Sequence, residues 1–165
     1  MGEGEFALVR ETLEGAFKTT NPAVGDHDLY ATLADAAALQ RDESGLRHYA
    51  PLAEHSAAQV GHVLYQGIAL RAWGVLSALS ADYAASSARL KQALALFEQL
   101  DTRWQMGRTL FELGDIARAQ AQDSAARDYY KRALALFEGM KAAPAAARVR
   151  VALEMRDGMR RGFGG

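Results

Sequence analysis

The chain has 165 residues, the length of one ordinary domain, and half of them are hydrophobic, with alanine carrying much of that share. The formal net charge is −1, so no sequence-wide basic excess points to nucleic acid. There is no cysteine, which excludes disulfides, thiolate metal sites and cysteine nucleophiles and fits a reducing compartment.

The first expected helix covers 4–18 and carries Phe6, Leu8, Val9, Leu13, Ala16 and Phe17. Met1 to Ala16 is acidic and mixed, with no basic region ahead of an apolar run, so no signal peptide is expected. Thr19 to Gly25, with Asn21-Pro22, reads as a loop. Helices are then expected at 27–40, 44–58, 60–80, 83–100, 102–121, 124–140 and 144–158, with 161–165 as a flexible tail. Asp82, Asp101 and Asp123 stand where helices start and where a carboxylate can accept orphan backbone N–H bonds. Gly61 reads as a helix break and Gly139 as a helix end. The last helix sets Val149, Leu153 and Met155 among Arg148, Arg150 and Arg156, and either caps the stack or opens a further repeat. No run of about 18 uncharged apolar residues exists, so no membrane span is expected, and the protein reads as cytoplasmic.

The chain repeats itself. Ala93-Leu94-Ala95-Leu96-Phe97-Glu98 recurs unchanged forty residues later as Ala133-Leu134-Ala135-Leu136-Phe137-Glu138. The same shift carries Gly74 onto Gly114, Ala85 onto Ala125, Leu90 onto Tyr130 and Lys91 onto Lys131. One shift earlier, Ala34 falls under Gly74 and Ala53 under Ala93, so small residues recur where helices would touch closely. Each unit reads as two helices. In the second, Ala126, Tyr130, Ala133, Leu134 and Phe137 form one apolar stripe, matched by Leu90, Ala93, Leu94 and Phe97.

This pattern resembles tetratricopeptide repeats, in which a small residue of the first helix and an alanine of the second mark the close contacts. Gly74 with Ala93, and Gly114 with Ala133, match those positions. Leu90 and Tyr130 match the large residue of the second helix, Ala126 its small one, and Trp73 and Leu113 the apolar place before the glycine. The resemblance covers about residues 27–158 and is strongest over 67–140. Two departures are a period of forty rather than the usual thirty-four, which implies longer helices, and Ser86 at the place of Ala126. The longer variant is similar to the helical repeats of large bacterial signalling ATPases and transcription activators.

The resemblance implies an all-α fold, a right-handed superhelical stack of antiparallel helix pairs over a single domain, 1–160. Three repeats, about 27–58, 60–100 and 102–140, would lie between capping helices 4–18 and 144–158. Such stacks expose a concave wall made mainly of first helices. In the family register that wall presents Arg71, Val75, Arg108, Phe111, Asp115, Arg118 and Arg148, arginines around an aromatic as at protein interfaces. The expected function is therefore protein or peptide binding, to an acidic or amphipathic segment. A regulatory or self-associating segment of a larger signalling or transcription-regulating protein, with a homodimer as one form, is the alternative. A chaperone-tail clamp built on asparagines is not expected, since the one asparagine, Asn21, lies in a loop.

No catalytic constellation is legible, and neither a cofactor nor an enzyme activity is expected. His48, His55 and His62 are seven residues apart, about 10.5 Å along a helix, too far for one metal. The carboxylates read as helix-start or solvated charges, and the glycines near both termini follow no strand and form no phosphate loop. Trp73, Phe97, Trp104, Tyr130 and Phe137 read mostly as packing residues, whereas Phe111 and Tyr129 fall off the main stripe.

Overall fold

The computed structural model describes the backbone of residues 26–161 and the side chains of residues 28–154. Seven helices and no strand occupy the described residues: α1 (Asp26–Gln40), α2 (Glu43–Gln59), α3 (Val63–Leu79), α4 (Tyr83–Gln99), α5 (Arg103–Ala119), α6 (Asp123–Gly139) and α7 (Ala143–Arg161). Every expected helix from residue 27 onward is present, with ends displaced by no more than three residues. The expected helix 4–18 lies outside the described residues.

Helices α2 to α6 are 17 residues each. The cause of this regularity is one chain reversal used repeatedly. Arg41, Gly61, Ala81, Asp101, Ala121 and Lys141, each twenty residues after the last, have φ between 47° and 65°. At the fifth corner the Gln122 N–H donates to the Ala117 carbonyl at 2.8 Å and the Ala121 N–H to the Arg118 carbonyl at 3.0 Å. This pair of bonds occupies carbonyls that the helix end would leave orphaned. The same pair closes the corners at Arg41, Gly61, Asp101 and Lys141. Gly139 is thus the last helical residue of α6 and not its reversal point, which falls on Lys141. Asp101 is the left-handed residue itself, with Thr102 as N-cap, and Asp123 is the first residue of α6 behind Gln122. Asp82 does cap α4, accepting from the Ala85 N–H at 3.0 Å.

Only one of these six corners uses glycine, so the others hold a side chain where it is strained. Ala121→Gly is expected to raise stability by about 0.5–1 kcal/mol, the relief of left-handed strain less the entropy of the freer unfolded chain. Gly61→Ala is expected to lower it by about 1 kcal/mol, although no atom lies near enough to block the added methyl. Urea unfolding of both variants measures this, and an Ala121→Gly protein no more stable than wild type would contradict the strained corner.

Helices α1 to α3 belong to one compact unit, ending at Ala81, and α4 to α7 to a second, beginning at Asp82. In the first, all three helices touch one another around Leu33, Ala34, Leu46, Ala53, Ala72 and Leu76. In the second, each helix packs on the next, most extensively α5 on α6. Phe97 and Phe137 are 0% and 3% exposed, as their matched register requires. Ala34, Ala53, Ala93 and Ala133 are all fully buried.

The small residues of α5 set how closely it approaches α6. A methyl at Gly114 would lie 2.5 Å from the Tyr130 ring, and one at Gly107 2.8 Å from the Phe137 ring. Two glycines seven residues apart therefore face two rings seven residues apart. Gly107 was also legible, since it stands forty residues after Gly67. Ser86, in the place of Ala126, is fully buried, and its Oγ has no hydrogen-bond partner among the described residues.

Candidate functional site

In the first unit, Arg71 and Val75 are each 1% exposed, so the expectation that they present themselves on an open wall is corrected. The reason for Arg71 lies in the register. It stands forty residues before Phe111, at a position that the repeat turns inward. A guanidinium cannot shed its proton there, so it must meet a carboxylate. Asp35 of α1 supplies one, accepting from Arg71 Nη2 at 2.6 Å. Val75 is part of the hydrophobic core of that unit. Trp73 packs on the same core and donates its indole N–H to Glu54 at 2.9 Å.

In the second unit, four of the expected residues come together around a fifth, Tyr130, which the apolar stripe marks as a packing residue. Phe111 of α5 is 8% exposed, and the Arg148 guanidinium of α7 lies over its ring, 4.5 Å from the centroid. Behind it stands the Tyr130 ring of α6, with centroids 5.5 Å apart. One turn along α5, Asp115 accepts from the Tyr130 hydroxyl at 2.6 Å and from Arg118 Nη2 at 2.9 Å, both on Oδ1. The Arg118 guanidinium also lies 5.6 Å from the centre of the Tyr130 ring. Arg108, one turn earlier on α5, is half-buried and engaged within the protein. Thus Phe111 is covered by an arginine and is not an open apolar anchor, and Asp115 already satisfies Arg118.

Tyr130 was findable. It replaces Leu90 of the preceding repeat, and a hydroxyl brought into a buried position needs a partner. Burial, and then its bond to the Asp115 carboxylate, push its pKa well above the ordinary tyrosine value. The folded state therefore keeps the proton to higher pH than the unfolded state does. This contribution to stability is intact below the unfolded pKa of about 10 and is lost as pH rises beyond it. Urea midpoints are expected to fall between about pH 9 and 11 more steeply in wild type than in Tyr130→Phe, which has no proton to lose at that position. Equal slopes would remove the buried Tyr130–Asp115 bond.

Trp104 is 46% exposed and meets Phe137 edge-on at 5.4 Å, so it packs on the core from outside. Beside it in the second unit, an open groove of about 320 Å³ between α6 and α7 is floored by Phe137, Ala142, Ala143 and Ala146 and crossed by the Glu138–Arg150 ion pair. His48 and His55 are exposed on α2, and His62 stacks on Tyr65 at 4.0 Å. Among the described residues no group of three or more histidine and acidic side chains is arranged to hold a metal ion. No described helix is long and apolar enough to cross a membrane. No family model matches the chain, and no curated protein matches it.

Proposed function

We propose that the chain is a protein-interaction module of the tetratricopeptide type, a superhelical stack that takes a peptide or partner helix on the face where α5 and α7 meet. The reading is of a cytoplasmic binding protein and not of a catalyst. Its main support is the pair of arginines, Arg118 and Arg148, held over Tyr130 and Phe111. Helix packing alone needs no arginine there, and aromatic rings with arginines are enriched where proteins bind proteins. The helical scaffold beneath them is closely packed, with Gly107 and Gly114 setting the approach of α5 to α6. Selection of random dodecapeptides displayed on phage against the immobilised protein tests the reading. Recovery of sequences that bind the free protein in solution is expected, and failure to recover any would refute it.

The α6–α7 groove favours a second reading, self-association, because exposed Trp104 and Val151 lie in the same unit. Mass-measured size exclusion across a range of protein concentrations separates the two. A dimer that Trp104→Ser or Val151→Asp returns to monomer would establish the second.

A further inference from the structure

We infer that Arg148 is the residue of this face that receives a carboxylate, and that the partner segment carries an aspartate or glutamate beside an apolar side chain. The inference rests on the protein-binding reading above. It starts from an asymmetry among the arginines of the second unit. Arg103, Arg118, Arg132 and Arg150 each meet a carboxylate, at Asp101, Asp115, Glu98 and Glu138. Arg148 is exposed, and among the described residues no carboxylate lies within ion-pairing distance of it.

The helix itself cannot supply one. The neighbours that could reach Arg148 along α7 are Pro144, Ala145, Val151 and Ala152. Across on α5 the acids next to Phe111 are Glu112 and Asp115, and both are engaged within the protein, Asp115 accepting on Oδ1 from Tyr130 and Arg118. Among the described residues the charge of Arg148 is therefore uncompensated, yet its position is defined. The ring beneath it is 8% exposed and backed by Tyr130, so the guanidinium rests on a fixed surface.

A guanidinium resting on an aromatic face keeps its N–H edges available, and their fork matches the two oxygens of a carboxylate. Because the ring restricts the arginine beforehand, less freedom is lost when the anion arrives. Val151, one turn along α7 and 52% exposed, sets an apolar contact next to it. An acidic residue followed closely by an apolar one meets both, and charge complementarity excludes a basic segment.

The peptides recovered by phage selection provide the test, with affinities measured by fluorescence anisotropy on the intact protein. Recovered sequences are expected to share an aspartate or glutamate and to bind about tenfold or more weakly to Arg148→Glu. Arg148→Lys is expected to keep only part of the affinity, because a point charge lacks the planar fork. Phe111→Leu keeps an apolar side chain but not the ring face, and is expected to weaken binding in the same direction. Raising salt from about 50 to about 300 mM should weaken binding to wild type more than to Arg148→Glu. Arg148 is exposed, so circular dichroism and melting temperature should not change in its variants. Recovered peptides without aspartate or glutamate would overturn this inference and leave the binding reading standing. Equal affinity for wild type and Arg148→Glu would do the same. Recovery of no peptide would overturn the binding reading and this inference with it.

Discussion

Phe97→Ala and Phe137→Ala are each expected to lower stability by about 3–5 kcal/mol in urea unfolding. Both rings are almost fully enclosed, Phe97 at 0% and Phe137 at 3% exposure. Deleting either removes the favourable transfer of a ring from water and leaves a cavity that the surrounding helices fill only partly. At Phe137 the surroundings are fixed by backbone. Gly107 of α5 sits so close that its own Cα face forms one wall of the pocket, and Trp104 covers the ring edge-on from outside. Helix backbone cannot collapse into the gap as a side chain would, so Phe137→Ala should lie toward the upper end of the range. Phe→Leu at the same positions should lose much less, because most of the volume stays. A loss below about 1 kcal/mol at both positions would mean that the rings are not wedged between helices, and the forty-residue register would lose its main packing consequence.

Asp35→Ala is expected to be comparably damaging, at about 3–5 kcal/mol, whereas Asp35→Ala combined with Arg71→Met should recover most of that loss. The asymmetry comes from exposure. Arg71 is 1% exposed, so without Asp35 its charge stays in the core of the first unit with little access to water. Asp35 keeps 19% exposure and can be partly hydrated, so Arg71→Met alone should cost less. The double variant replaces both charges by groups that need no partner, and methionine follows the path of the arginine stem. A double-mutant cycle gives the coupling directly. If the single Asp35→Ala protein were as stable as wild type, the 2.6 Å ion pair would not be a structural element of α1 and α3.

Helix positions were legible because their causes are local. The apolar stripe at Leu90, Ala93, Leu94 and Phe97 recurs at Tyr130, Ala133, Leu134 and Phe137. Side-chain spacing along a helix follows from backbone geometry alone, so the stripe determines which face is buried without reference to any neighbour. The corners were read less well. Residue type marks the corner at Gly61, but not those at Ala121 and Lys141. A non-glycine residue enters the left-handed region there because two backbone bonds across the helix end, and the packing of the next helix, outweigh its strain. Neither is visible in residue type.

The sequence by itself determined the all-helical architecture, the forty-residue register, the burial of Phe97 and Phe137, and the close approach at Gly114, because these depend on residue size and periodicity. Which group each arginine meets was decided only by tertiary structure. The register sets Arg71 in the place of Phe111 and Arg148 in the place of Arg108, but it names no partner for either. Asp35 lies thirty-six residues from Arg71, and Phe111 thirty-seven from Arg148. The partner brought up by folding makes one guanidinium part of a core and leaves the other resting on a ring at the surface. A charge takes its role from the groups around it, and here those groups arrive from other helices.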